Sequence, residues 1–337
     1  MDVSTTPVLP KPSAFNDHKN RVNQCYRYEP VEVTKPPLFD QDVDATYVLH
    51  LEGNGRYENV LDQLQKYTPT KIIYIAFNPG FRSCPKEPYI TVSLKDIIDA
   101  FINVFIHAEE QGYRNILVLE DDFFFDPRIR NEPIHVERIR KFLQHIPHPN
   151  FMYYVGTLPI LQRPVGWDGI HYRITTSAGT HACIYSQAMR RDILSLDQKK
   201  IRDWDVYNNS RCRYRYGYYR PLCYQLFTAT ENQSNWIGSD GPNEAWNKWW
   251  GQLGVTLFNS LKLNEEVVPG YPFFNMLSKS IYGILWLVLL VILYEIYMIM
   301  ILMFSSKSRT KTYQGIIIVL LVLLALPTTA LTMLYFS

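Results

Sequence analysis

The chain has little net charge and few cysteines. Its 337 residues include 34 Lys and Arg and 32 Asp and Glu, a formal net charge of +2, so the sequence predicts no nucleic-acid partner. The five cysteines are an odd number without a Cys-x-x-Cys pair, which predicts neither a disulfide framework nor a zinc site and favours a reducing compartment. With 47% hydrophobic residues, the chain is too apolar to be disordered.

Several catalytic and targeting motifs are missing. Gly53 and Gly55 are not followed by the third glycine of a dinucleotide-binding turn, and the chain has no P-loop, no Gly-x-Ser-x-Gly elbow and no His-Glu-x-x-His. These absences exclude the usual hydride-transfer, kinase, hydrolase and zinc-protease signatures. The start, MDVSTTPVLP, has no apolar segment behind a basic residue, which argues against a cleaved secretory signal.

Two long apolar runs lie near the C-terminus, at residues 281–304 and 315–336. Each exceeds the roughly 20 residues that cross a bilayer, so the sequence predicts a multi-pass membrane protein with a C-terminal hairpin of two transmembrane helices. The loop between them carries Lys307, Arg309 and Lys311, which would place it in the cytosol and the N-terminal part outside. The missing entry signal favours the opposite orientation, with a cytosolic domain, and that is the orientation we expect.

Residues near the predicted spans carry further membrane signals. Glu295 lies inside the first run, where an ionised carboxylate costs about 2.5 to 3.5 kcal/mol; it either pairs across a homodimer of these helices or stays protonated. Trp246, Trp249 and Trp250 lie in the segment 241–280. Tryptophan favours the membrane interface, so this segment either rests on the lipid headgroups or packs under the preceding domain.

The N-terminal part divides at about residue 45. Residues 1–44 are rich in proline without an apolar period and are predicted to form an extended arm. From residue 45 to about 240, short apolar runs alternate with helical stretches, which predicts an α/β domain around a mainly parallel sheet. The clearest elements are strands at 46–51, 71–77 and 115–122 and a helix that begins at Ser93 and ends at Gly112.

Three carboxylates follow the third predicted strand. In NILVLEDD, Glu120 and Asp122 share one face and Asp121 points away. Ligands of open α/β sheets bind at the carboxyl ends of strands, and two carboxylates at this spacing suit Mg²⁺ or Mn²⁺ bound together with the phosphates of a nucleotide. The alternative is a solvated acidic turn that caps the next segment.

Four segments resemble glycosyltransferase family 25, the group of lipooligosaccharide and collagen galactosyltransferases. They span residues 48–64, 112–126, 178–194 with the later 203–207, and 220–236, and the resemblance covers roughly residues 45–238. It implies an A-type glycosyltransferase fold, which is Rossmann-like, and transfer with inversion from a nucleotide-sugar donor, with a UDP-sugar favoured. It also implies a divalent metal and a glycan or protein acceptor.

The resemblance assigns roles to matching positions. Glu120 and Asp122 match the acidic motif that holds the metal, and Asp121 belongs to the same motif on the donor side. The remaining donor-binding positions are Arg56, Gln225 and Ser234. The chain departs from the family at Asn54-Gly55, where a charged turn is usual, and it lacks the early Ser-His pair before the long helix.

Three residues are candidates for the base that takes the acceptor's proton. Asp205 matches the family's acidic residue after the helix that begins near Ser186, and Asp203 is its neighbour; the alternative for this Asp-Trp-Asp segment is a helix cap or surface turn. His181 could act as base or third metal ligand, but a lone histidine in an apolar strand is more often a core residue.

Two further interpretations of the chain stay open. One is a membrane-anchored sugar-binding or scaffold protein that has the fold without turnover. The other is a metal-dependent phosphatase or nuclease, which would need more acidic ligands at later strand ends. Between residues 211 and 220, arginines alternate with tyrosines; this stretch is either a substrate-facing loop or a solvated strand.

Overall fold

The computed structural model describes residues 24–225 and 270–305, with the isolated residues 253, 256 and 260. Nine strands and seven α-helices lie in these residues, together with a short 3-10 helix at Gln198–Lys200. In chain order they are β1 (Arg27–Pro30), β2 (Ala45–Leu51), α1 (Tyr57–Tyr67), β3 (Ile72–Asn78), α2 (Ser93–Glu110), β4 (Asn115–Glu120), β5 (Phe123–Phe125), α3 (Arg128–Asn131), α4 (Pro133–Gln144), β6 (Met152–Pro164), β7 (His171–Ser186), α5 (Gln187–Leu194), α6 (Trp204–Arg211), β8 (Arg215–Tyr218), β9 (Cys223–Gln225) and α7 (Gly270–Ser305).

Seven strands form one sheet in the order β1-β3-β2-β4-β7-β6-β8. At its centre, β2 pairs in parallel with both β3 and β4, while β1 and β7 join antiparallel to β3 and β4. The α/β prediction is confirmed, but the sheet is mixed rather than mainly parallel. The remaining strands, β5 and β9, form a separate antiparallel pair.

Helices cover both faces of this sheet, which explains the continuous apolar runs of the central strands. On one face, Phe101 and Phe105 of α2 and Trp204 of α6 are buried. On the other, Leu64 of α1 and Ile139 of α4 are buried in a second cluster. The predicted strands and the long helix are observed within two residues of their expected bounds, although Val92 rather than Ser93 holds the cap position.

The sheet begins before the predicted boundary at residue 45. Strand β1 pairs with the edge of β3, and Phe39 and Val43 are fully buried. Just before β1, Cys25 forms a disulfide with Cys84, 59 positions away. The prediction of no disulfide is therefore wrong, because it relied on spacing along the chain, whereas the pairing of β1 with β3 brings two distant cysteines together.

The C-terminal helix α7 extends well beyond the domain. Its segment Asn275–Met300, with a mean hydropathy of 2.3, is long and apolar enough to cross a membrane. Ile284 and Leu287 are among its exposed side chains. This helix contains the first predicted span. The second predicted span, at 315–336, lies outside the described residues, so the two-helix hairpin stays a prediction. The tryptophans near residue 250 also lie outside the described residues.

Candidate active site

The predicted carboxylates lie at the carboxyl end of the central strand β4. Glu120 ends this strand, and Asp122 lies in the turn to β5. Gln225 of β9 pairs with Phe123 of β5, the residue after Asp122. The Gln225 side chain therefore reaches both Glu120 and Asp122. Its Nε2 lies 3.5 Å from Glu120 Oε2 and donates to Asp122 Oδ2 at 3.1 Å. Three of the predicted site residues thus face one crevice.

Asp121 points to the other side, as the strand alternation predicts, and binds the turn between β2 and α1. Its Oδ1 accepts a hydrogen bond from Arg56 at 2.7 Å, and its Oδ2 accepts from Asn54 at 2.5 Å and lies 3.1 Å from His50 Nδ1. Burial favours the neutral carboxyl, but the hydrogen bond from His50 and the Arg56 charge outweigh it and lower the pKa of Asp121. Asp121 therefore stays ionised and holds this turn in place.

Arg56 connects this turn to the crevice. The same guanidinium nitrogen that contacts Asp121 lies 3.4 Å from Asp122 Oδ2. Arg56 precedes α1 directly, and the positive φ angles of Gly53 and Gly55 let the chain turn sharply before it. The turn therefore places the guanidinium group of Arg56 beside the acidic residues at the carboxyl end of the sheet.

Asp203 and Asp205 have different roles in the structure. Asp203 accepts a hydrogen bond from the backbone N–H of Val206 at 2.8 Å, so it is the N-cap of α6, as the alternative interpretation held. Asp205, two residues on, accepts from the backbone N–H of Gly179 at 2.8 Å. Since β7 lies beside β4, this contact brings Asp205 towards Glu120, whose Oε1 accepts from Thr180 at 3.3 Å.

The crevice destabilises the negative charge of all three of its carboxylates. Burial, with the neighbouring charges of Asp122 and Asp205, raises the pKa of Glu120 well above its usual range. Burial raises the pKa of Asp122 to about 7, with Asp121 adding to the shift, and the pKa of Asp205 to about 6. Such a group of carboxylates favours binding of a cation.

His181 lies behind the crevice rather than in it. It has no exposed surface, and its Nε2 donates to the carbonyl of Cys223 at 3.3 Å. Burial lowers its pKa to about 4, so the imidazole is neutral at physiological pH. This is the environment of a core histidine that joins β7 to β9, not of a base that meets an acceptor.

Sequence reasoning missed His50, Asn54 and Thr180. The first two fix Asp121, and Thr180 binds Glu120. Only Asn54, in its Gly-Asn-Gly turn, carried a local signal; the other two lie in apolar strands, where a polar side chain alone predicts no partner. Ser234, the remaining predicted donor residue, lies outside the described residues.

Glu120 and Asp122 are the candidates in this crevice for holding a divalent cation. Among the described residues, no group of three or more His, Cys, Asp or Glu side chains is arranged to hold a metal alone. Asp122 Oδ1 is buried without a hydrogen-bond partner, whereas both carboxylate oxygens of Glu120 have one, in Thr180 and Gln225. A Mg²⁺ or Mn²⁺ ion bound by two carboxylates would need further oxygens, such as those of a phosphate, to complete its shell.

The comparisons with known proteins find a likeness among solved structures. No protein-family model matches the chain, and no curated protein matches it. Among solved structures, the chain is similar to a glycosyltransferase involved in the glycosylation of the major capsid of PBCV-1, with 10% sequence identity and a TM-score of 0.34. The similarity covers 62% of this chain and 98% of that one.

Proposed function

We propose that the chain is a membrane-anchored glycosyltransferase that moves a sugar from a nucleotide-sugar donor, with a UDP-sugar favoured, to a glycan or protein acceptor. The observation that carries this proposal is the crevice at the end of β4, where Glu120, Asp122 and Asp205 lie together with raised pKa values. A recessed acidic site beside Arg56 suits a cation and a diphosphate better than it suits a structural turn.

In this proposal Glu120 and Asp122 hold a divalent cation, and Gln225 orients both carboxylates. The cation, when bound, stabilises negative charge on the departing diphosphate. Arg56 supplies a second positive charge from the β2–α1 turn, and Asp121 keeps Arg56 in place.

We assign the base to Asp205. The hydrogen bond from Gly179 holds this carboxylate in place, whereas Asp203 is engaged as a helix cap and His181 is buried. In an inverting transfer, the acceptor oxygen bonds to the anomeric carbon while the carbon–oxygen bond to the diphosphate breaks. The electron pair leaves with the diphosphate, and the acceptor's proton passes to Asp205.

We propose that α7 spans the bilayer and that the domain faces an oxidising compartment. The Cys25–Cys84 disulfide supports this orientation, because disulfides persist where thiols are not kept reduced. The basic residues Lys307, Arg309 and Lys311 after the helix support it too, since they favour the cytosolic side. This proposal replaces the expectation of a cytosolic domain, which relied on the missing entry signal.

The experiment that tests the transferase proposal measures nucleoside diphosphate released by the purified full-length chain. A panel of nucleotide sugars is offered with Mn²⁺ and, in parallel, with a chelator. We expect release from one donor that requires the metal. Binding of a nucleotide sugar without any release of nucleoside diphosphate would favour the alternative, a non-catalytic sugar-binding protein. Release of inorganic phosphate from simple phosphate esters, with no sugar acceptor present, would favour a phosphatase.

A further inference from the structure

The tip of the β6–β7 hairpin presents apolar side chains to solvent. Trp167 is fully exposed, and Val165 has an exposed fraction of 48%. The turn is nevertheless ordered: Val165 N–H donates to the carbonyl of His171 at 2.9 Å, and Asp168 Oδ1 accepts from the N–H of Ile170 at 3.1 Å. An ordered turn that exposes a tryptophan is typical of a contact surface.

Arginines lie just behind this hairpin tip. Arg163 and Arg173 are opposite each other on β6 and β7, and Arg173 donates to the carbonyl of Arg213 at 3.0 Å. The guanidinium groups of Arg173 and Arg213 lie 5.4 and 5.7 Å from the ring centre of Tyr214. Within the described residues, no acidic side chain forms an ion pair with Arg173 or Arg213. The partner surface should therefore offer acceptor oxygens, such as those of phosphate groups, as well as apolar contacts.

The same region meets the first turns of α7. Asn275 and Ser278 are buried there, and Gln162 of β6 donates to Ser278 Oγ at 2.7 Å. Two turns further along the helix, Ile284 and Leu287 are exposed by 58% and 61%. The helix thus changes from a surface packed on the domain to an exposed apolar surface, and this change marks the level of the bilayer interface.

Contacts of Lys279 show which way the hairpin points. Its ammonium group lies 4.6 Å from the ring centre of Tyr172, which pairs with Pro164, and it donates to the carbonyl of Tyr219. Asn275, one turn earlier on the helix, has its carbonyl oxygen 3.3 Å from Gln162 Nε2, so moving one turn from Asn275 to Lys279 corresponds to moving from Gln162 to Pro164 along β6. The hairpin tip therefore projects in the direction in which the helix leaves the domain.

We propose that this hairpin tip inserts into the headgroup layer of the bilayer that α7 spans. The inference rests on the proposed membrane span and adds a second point of contact to it. Trp167 lies at the depth where tryptophan is favoured, and the arginines behind it face the lipid phosphates. Gly179 of β7 lies eight residues after His171, about 26 Å along the strand, so this contact would hold the crevice at a fixed height above the membrane.

The test uses the full-length chain in vesicles with single added cysteines. Cys25 and Cys84 are disulfide-bonded, and the other three cysteines are buried, so Trp167→Cys introduces one accessible thiol for an environment-sensitive fluorophore. Leu196→Cys is the matched control, since Leu196 is 43% exposed and follows α5 at the opposite end of β7. Tyr294→Cys, exposed by 62% in α7, reports on the span itself.

Nitroxide-labelled lipids in phosphatidylcholine vesicles quench fluorophores that touch the bilayer. We expect strong quenching at positions 167 and 294 and none at 196, with weaker quenching at 167 when Arg173 and Arg213 are both changed to Gln. Quenching at 294 without quenching at 167 would overturn the hairpin contact while leaving the span intact. A blue shift at 167 that nitroxide lipids do not quench would show that the tip meets protein, and would also overturn it. Absence of quenching at both positions would refute the span and the hairpin contact together.

Discussion

Asp203 and Asp205 are two residues apart, yet the fold gives them opposite tasks. Asp203 caps α6, while Asp205 is held by Gly179 in the crevice. We expect Asp205→Asn to lower turnover by about 10² to 10⁴-fold, the usual contribution of a general base. Asp203→Asn should stay within about twofold of the parent, because asparagine caps helices as well as aspartate does.

Rates of diphosphate release from the two variants, measured side by side with the same donor, check this assignment. The pair is a matched comparison, since both changes remove one carboxylate charge from the same short segment. Equal losses in both variants would contradict the assignment of Asp205 as the base.

His171 is a buried histidine whose ionisation opposes folding. It stacks on Phe142 with ring centres 4.1 Å apart and contacts the Tyr153 hydroxyl at 3.1 Å, and burial lowers its pKa to about 4. A histidine with a lowered folded-state pKa contributes full stability above its unfolded pKa of about 6.5, and this stability is lost as the pH falls towards 4.

We therefore expect His171→Phe to become more stable relative to the parent chain as the pH falls from about 6.5 to 4. The difference should grow by on the order of 3 kcal/mol, since one pKa unit corresponds to about 1.4 kcal/mol. Denaturant unfolding of both proteins in the same detergent, at pH 7 and pH 4.5, gives this difference. A difference that does not change with pH would show that His171 is not the titrating group.

At the scale of elements, Gly156 lets β6 pass close to β9 and β7 beside the crevice. A Cβ built on Gly156 of β6 would lie 2.1 Å from the Cys223 carbonyl and 2.6 Å from His181 Nε2. Gly156→Ala should therefore displace β9 and with it Gln225, at a cost of about 1 to 3 kcal/mol. Gly166→Ala, whose added Cβ would come no nearer than 3.4 Å to the Asp168 side chain, serves as the control.

Thermal unfolding and donor affinity of the two alanine variants test this role of Gly156. The expected result is a lower melting temperature and weaker donor binding for Gly156→Ala alone. Unchanged donor binding in a destabilised Gly156→Ala protein would show that β9 does not position Gln225 for the donor.

The disulfide joins β1 to the loop before α2. Loss of a bond that closes a loop of this size costs about 2 to 4 kcal/mol, so Cys25→Ser should lower the free energy of unfolding by that amount. In denatured parent protein, a maleimide-linked polymer should label only the three free cysteines, Cys183, Cys212 and Cys223, before reduction, and Cys25 and Cys84 as well after it. Labelling of all five cysteines without reductant, in protein isolated from intact cells, would contradict the proposed oxidising compartment.

Apolar runs between turn residues predicted the central elements well, for a physical reason. Strands β2, β3 and β4 are buried almost without interruption and α2 along most of its length, so their own side chains carry the signal. Strand β1 and the Cys25–Cys84 pair depend on contacts between distant segments, which no local pattern records. The same limit applies to His50 and Thr180, because their importance comes only from the carboxylates that the fold places beside them.

For the whole molecule, the described residues combine an acidic crevice, a candidate membrane helix and an exposed hairpin. The sequence predicted Glu120, Asp122 and Gln225 as site residues, and the structure places them together. The sequence alone could not separate the roles of Asp205 and Asp203, and it left His181 as a candidate base. The helix capping by Asp203 and the burial of His181 are properties of the fold. The sequence also predicted the apolar run that could cross the membrane. It could not predict where the bilayer interface lies relative to the domain, because that depends on how α7 packs on β6.

The most direct test of the central claim is UDP binding by the purified full-length chain, measured by calorimetry with Mn²⁺ and with a chelator. We expect UDP to bind at least about tenfold more tightly with Mn²⁺, a difference of about 1.4 kcal/mol, in the parent chain and in Asp203→Asn. Asp122→Asn should lose this difference while keeping its fold. Equal UDP affinity with and without the metal, or an unchanged metal effect in Asp122→Asn, would contradict the claim that the crevice holds a divalent cation together with a diphosphate.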